Sequence, residues 1–141
     1  VFLQQKKIKK EQAVLRGDFN KNDYESHRIW ATARDGEQIP ISIVYKKGIV
    51  LNEENPLLLH AYGSYGSTID PSFSSIRLSL LNRGFIYAIA HIRGGEYLGR
   101  QWYENGKLLT KLNTFYDFID CSKHLIKMKY TSNKHLYACN N

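Results

Sequence analysis

No stretch of the 141 residues is apolar for long enough to cross a bilayer. The longest, about 85–92, falls well short of the ~20 residues a membrane helix needs. Val1-Phe2-Leu3 followed by lysines also lacks the apolar core of a secretory leader. A cytoplasmic chain with no membrane partner is expected. Cysteine is scarce as well: Cys121 and Cys139 are the only two, form no C-x-x-C pair and have no histidine cluster beside them. That supports neither a disulfide scaffold nor a zinc site, so two buried free thiols and no metal or cofactor are expected. Acid is nearly missing from the first sixteen residues, where Lys6, Lys7, Lys9, Lys10 and Arg16 face Glu11 alone, a net +4 of the chain's +7. A basic tail of this kind is a solvated segment, and the remainder is too mildly basic for a nucleic-acid surface. No nucleic-acid partner is expected.

What the chain does have is a 43% hydrophobic and 13% aromatic content, enough for one packed domain. Residues 1–26 are polar and aperiodic and read as a tail or linker ending near an Asn20-Lys21-Asn22-Asp23 turn. Residues 28–33 and 39–45 alternate as strands around Arg34-Asp35-Gly36-Glu37, which predicts an antiparallel hairpin. Pro40 marks an edge or a strand start, because proline cannot donate to a ladder. Pro56-Leu57-Leu58-Leu59-His60-Ala61 and Phe85-Ile86-Tyr87-Ala88-Ile89-Ala90 are continuously apolar, as strands buried on both faces are. Between them a helix is predicted from an Asp70 cap and Pro71, with Phe73, Ile76, Leu80 and Leu81 on one face and Gly84 as its stop. A second helix is predicted from an Asn113 cap, with Phe115, Phe118, Ile119, Leu125 and Ile126 buried, Asp117 and Asp120 early, and Lys123, Lys127 and Lys129 late. Residues 135–139 then begin a last strand, expected to be frayed or partnerless.

The order hairpin, β, α, β, α, β is the opening half of a doubly wound, mostly parallel α/β sheet. Parallel strands present their carboxyl ends together. The loops after Ala61 and after Ala90 should therefore be neighbours at the working edge of the sheet.

Those loops are glycine-rich, but neither Gly63-Ser64-Tyr65-Gly66-Ser67 nor Arg93-Gly94-Gly95-Glu96-Tyr97-Leu98-Gly99 matches G-x-x-x-x-G-K-[ST] or G-x-G-x-x-G. A G-x-S-x-G nucleophile elbow is also missing, and Ser64 and Ser67 stand in the wrong arrangement for one. His60, His91 and His124 are read as packing histidines without a catalytic role. Tyr62, at the mouth of a buried strand, suits either a ring that plugs the sheet end or a phenol that donates to an oxyanion in acyl transfer. Spacing alone favours the plug.

A set of ordered motifs goes further: residues 60–70, Arg77-Leu78-Ser79-Leu80-Leu81, Arg83-Gly84-Phe85, His91-Ile92-Arg93-Gly94-Gly95, Leu98-Gly99-Arg100-Gln101-Trp102-Tyr103, and Asn113-Thr114-Phe115 with Asp117. Together they resemble the prolyl oligopeptidase family, most nearly its oligopeptidase B branch, from about Val14 to Ala138. The resemblance implies an incomplete α/β-hydrolase fold from a cytoplasmic serine endopeptidase that cleaves short peptides after Arg or Lys. It also implies that residues 1–26 are a linker or the exit from a β-propeller, and that 27–141 are the N-terminal portion of the peptidase domain.

By the same resemblance Tyr62 supplies one half of an oxyanion hole, and Asp70 is one of two acids that read a basic residue beside the scissile one. Ser72 stands at the second acid, and Glu96-Tyr97 replaces a small residue followed by Glu. Where the family continues into Gly-Gly-Ser-Ala-Gly-Gly, this chain reads Cys139-Asn140-Asn141. The expectation is a truncated sequence without its Ser-Asp-His triad, inactive alone. Its partners would be short basic peptides, the propeller and the C-terminal catalytic portion. Two rivals are an interaction module that pairs through an open sheet edge and the remnant of an esterase of the same fold.

Overall fold

The computed structural model describes residues 19–70 and 74–140. A 3-10 turn, Lys21–Asp23, leads into strand β1 (Tyr24–Thr32), which pairs antiparallel with β2 (Gln38–Lys46) from Tyr24↔Lys46 to Thr32↔Gln38. The expected hairpin is present, and β1 begins earlier than the Arg28 start that alternation suggested. Pro40, read as an edge or strand-start marker, lies near the start of an interior strand. It precedes the pairing of β2 with β4, which begins at Ile41↔Ala90.

Strands β3 (Leu57–Ala61) and β4 (Ile86–Ala90) pair in parallel, and every residue of β4 is buried. The five-stranded sheet has the order β1-β2-β4-β3-β5 and is mixed, antiparallel through β1, β2 and β4 and parallel from β4 onward. Alternation along β4 separates two apolar layers. Ile86, Ala88 and Ala90 join the larger core with Ile41, Leu57, Leu59, Cys121 and Leu125, whereas Tyr87 and Ile89 pack with Leu81 on the other face.

Helix α1 (Ser75–Asn82) starts later than expected. Its N-cap is Ser74, not Asp70, and residues 71–73, including Pro71 and Phe73, lie outside the described residues. The shift changes the inward stripe to Ser74, Arg77, Leu78 and Leu81, so Ile76 points outward at 76% exposure. The stop is as predicted. Gly84 takes φ 86° and donates to Leu81 O at 3.0 Å, while Phe85 N–H reaches Leu80 O at 3.1 Å.

Helix α2 (Arg100–Glu104), which no periodic pattern marks in the sequence, precedes α3 (Leu112–Lys127). The cap of α3 is Lys111, and Asn113 lies inside the helix with its Nδ2 donating to Asn105 O at 3.0 Å. The buried positions are Thr114, Asp117, Cys121 and Leu125. Phe115 and Ile119 are exposed, because the polar pair Thr114 and Asp117 has partners inside and takes the inward face. Asp117 therefore serves a buried arginine rather than the helix dipole.

Strand β5 (Leu136–Asn140) is neither frayed nor partnerless. It runs parallel to β3 from Leu57↔Leu136 to Ala61↔Asn140 and forms the outer edge. Of the two thiols only Cys121 is buried, and burial pushes its pKa up. Cys139 is exposed on the edge strand, contrary to expectation.

Candidate functional site

Since β3 and β4 run in parallel with His60 opposite Ile89, their carboxyl ends release two loops side by side. The loops are tied backbone to backbone: Gly66 pairs with Gly95, and Gly66 N–H donates to Gly94 O at 3.0 Å. Gly94 has φ 101°, and a Cβ there would collide with the Gly63 carbonyl oxygen. Only glycine lets the loops approach this closely.

Loop 93–95 is fixed from beneath. Arg93, 4% exposed, sends Nε and Nη2 to the two Asp117 carboxylate oxygens at 2.9 and 2.6 Å, and its backbone N–H to the same group at 3.0 Å. Its Nη1 donates to Asp35 in the hairpin turn at 2.6 Å. Hydrogen bonding to Asp117 raises the Arg93 pKa, and Arg93 holds Asp35 below the usual carboxylate range. At Asp117, burial pushes the pKa up while the Arg93 donors oppose it. Trp102 of α2 completes the support, with Nε1 donating to His91 O at 2.8 Å and its carbonyl accepting from Gly94 N–H at 3.0 Å.

Loop 62–67 is held by side chains at its first half and by the backbone bonds of Gly66 and Ser67 at its second. Lys111 Nζ donates to Gly63 O at 2.6 Å and to Ser64 Oγ at 2.9 Å. Thr114 Oγ1, one helical turn on, lies 2.7 Å from Arg93 O. Further along, Tyr65 is 86% exposed with φ 53°. One face of α3, carrying Lys111, Thr114 and Asp117, thus serves both loops.

Tyr62 lies half-buried at this junction, and its hydroxyl makes no hydrogen bond to any described residue. It borders a nook of about 10 Å³ with Ser67, Ile69, His91 and Gly95, space for about one water. A much larger cleft, about 560 Å³, lies away from the loops between α1 and the hairpin and is lined by neither Tyr62 nor Asp70. Asp70 is exposed beyond the loop and forms no ion pair with a described residue.

The histidines are engaged in packing. His91 Nε2 is 2.8 Å from Ser42 Oγ and its ring stacks on Tyr97, and burial lowers its pKa to about 4. His60 Nδ1 is 2.7 Å from the Tyr87 hydroxyl, and its Nε2 is buried without a partner among the described residues. Neither Ser64 nor Ser67 is hydrogen-bonded to a histidine there. No group of three or more potential metal ligands occurs among the described residues.

Lys111 is a site residue that sequence reasoning missed, whereas Arg93, Asp117 and Trp102 stand in the motifs that carry the resemblance but have no role assigned from sequence. The available signal was polar side chains at 111, 114 and 117, in helical register with Cys121 and Leu125.

Against known proteins, residues 71–139 match the model of the prolyl oligopeptidase family. The chain is 48% identical over 130 residues to dipeptidyl aminopeptidase BI of Pseudoxanthomonas mexicana, which covers 92% of this chain and 18% of the relative. It is 45% identical over 120 residues to protease 2 of Moraxella lacunata, 85% of this chain and 17% of the relative. Among solved structures, oligopeptidase B from Trypanosoma brucei superposes with a TM-score of 0.84 at 50% identity, covering 88% of this chain and 18% of that one. Oligopeptidase B from Leishmania major gives 0.85 at 46% identity, covering 88% and 17%. The chain spans about a sixth of the length of the curated relatives it matches.

Proposed function

We propose, for a chain that belongs to the prolyl oligopeptidase family through the segment it matches, that the loop junction is one wall of the active site of an oligopeptidase B-like serine endopeptidase acting on short peptides after Arg or Lys. In this reading Tyr62 is an oxyanion donor. When a serine attacks the scissile carbonyl, the carbonyl oxygen takes up negative charge, and a fixed phenol O–H directed at it stabilises that charge more than the neutral ground state. The observation that supports this is a phenol with no described hydrogen-bond partner, placed on a loop whose neighbouring backbone is pinned. Asp70 would pair with a basic side chain beside the scissile residue. Residues 1–141 hold no G-x-S-x-G, so in this reading the chain by itself would not cleave such a peptide by this mechanism.

The test is a hybrid in which residues 19–140 replace the aligned segment of the Moraxella lacunata protease 2. Tyr62→Phe in the hybrid should lower kcat on an Arg-containing peptide by about 10²–10³ with KM little changed. An unchanged kcat would remove Tyr62 from the mechanism. Separately, hydrolysis of that peptide by the 141-residue chain, blocked by a serine-directed phosphonate, would overturn the claim of inactivity.

One observation favours the interaction-module reading: among the described residues β5 pairs with β3 alone, and residues 137–140 are exposed. Parallel strands are ordinarily covered on both faces. A second polypeptide that co-purifies with the chain, and is lost when a proline replaces Ala138, would support it.

A further inference from the structure

Lys111 stands where electrostatics disfavours a lysine. As the N-cap of α3 it brings an ammonium to the positive end of the helix dipole, at a position where Ser, Thr, Asp or Asn would satisfy a backbone N–H. The Lys111 side chain makes no cap hydrogen bond. The side chain is half-buried, burial lowers its pKa from the ordinary lysine range, and no carboxylate pairs with it among the described residues. What the ammonium gains is the backbone just past Tyr62. Gly63 O and Ser64 Oγ accept from it at 2.6 and 2.9 Å, and the Phe115 ring lies 6.0 Å away.

Gly63 has little other freedom. A Cβ on it would strike Thr114 Cγ2 and come within 2.8 Å of Ile92, so its Cα lies flat against both elements beneath. On the amino side of Tyr62, Ala61 is fixed in the sheet opposite Asn140. Tyr62 is therefore suspended between a strand end and a peptide whose carbonyl accepts from the Lys111 ammonium at 2.6 Å and, at the longer distance of 3.5 Å, from the Thr114 hydroxyl.

We propose that Lys111 is the positioning residue for Tyr62: its ammonium fixes the Gly63–Ser64 peptide and so aims the phenol. This rests on the reading of Tyr62 as an oxyanion donor. Lys111 itself touches no reacting atom.

Two measurements keep the two ideas separable. In the full 141-residue chain, Lys111→Met should speed amide hydrogen exchange at residues 64–67 by about 10-fold or more while β4 amides and the denaturation midpoint stay unchanged. Lys111→Arg, which keeps charge and donors, should retain most of the protection. Ser64→Ala, which removes one of the two acceptors, should give a smaller increase and serves if the Met variant does not fold. Unchanged exchange at 64–67, or exchange rising everywhere with a lowered midpoint, would overturn the proposal.

In the hybrid, Lys111→Met should lower kcat by about 10-fold without raising KM, and should add little to Tyr62→Phe. Simple multiplication of the two effects would overturn positioning. A silent Tyr62→Phe beside a mobile loop in the Met variant would instead overturn the reading of Tyr62 and leave the Lys111 clamp standing.

Discussion

Arg34 and Arg93 grip a carboxylate in the same way and in opposite surroundings. Each donates its backbone N–H and its Nε to one oxygen of an aspartate on α3 and its Nη2 to the other: Arg34 to Asp120 at 2.9, 3.0 and 2.9 Å, Arg93 to Asp117 at 3.0, 2.9 and 2.6 Å. The aspartates are three residues apart on one helix, so a single element reads two arginines from two different strand ends. Yet the Arg34 side chain is 45% exposed over an Asp120 that is 11% exposed, while that of Arg93 is 5% exposed over an Asp117 that is 0% exposed. Identical geometry carries different consequences. A pair whose arginine is half in water is partly screened and loses less when broken, whereas a fully buried carboxylate deprived of its arginine has nothing to replace it. The buried clamp is the one beneath the glycine loops; the exposed one staples the hairpin turn to α3.

The contrast is broken most directly by removing the buried arginine. Arg93→Met should cost about 3–5 kcal/mol in denaturant unfolding, because Asp117, fully buried, is left charged and unpaired. A loss as small as that of a surface pair would show that water reaches Asp117.

Acid separates the two regions next. The His91 pKa is lowered to about 4 by burial, so between about pH 6.5 and 4 the unfolded chain binds a proton that the folded chain does not. Stability should fall by about 3 kcal/mol as pH drops through that window, and His91→Gln should flatten the decline. Asp35 and Asp120 are held below the ordinary carboxylate range by Arg93 and Arg34. Their contribution is present at neutral pH and is lost only as pH falls further, below the ordinary aspartate pKa. Unfolding midpoints measured at pH 7, 5 and 3 distinguish the windows.

The smallest effect is expected at the exposed clamp. Arg34→Met should move the midpoint slightly at low ionic strength and not at all in 1 M salt, where the screening length is about 3 Å. A persistent shift in salt would point instead to its stacking over Tyr116, 3.9 Å from the ring centroid.

Sequence by itself determined the parts that depend on near neighbours. The apolar runs at 57–61 and 86–90 suited buried strands, Asp35-Gly36 set the hairpin, Gly84 set the end of α1, and parallel pairing required the two glycine loops to meet. The helix starts were missed because Asp70 and Asn113 have the chemistry of caps but not the geometry, and capping depends on where the preceding chain turns. The buried stripe of α3 was misread because Phe115 and Ile119 outweigh Thr114 and Asp117 on any hydrophobic scale, until the partners of the polar pair are known. Those partners are far along the chain. Arg93 meets Asp117 at a separation of 24 residues, Asp35 at 58, and Lys111 meets Gly63 at 48. Such pairings carry no periodic signal, since a charge is tolerated inside only where folding delivers its counterpart. Tyr62 could be singled out from the sequence; that its loop is held by a lysine at a helix start was decided by the tertiary structure.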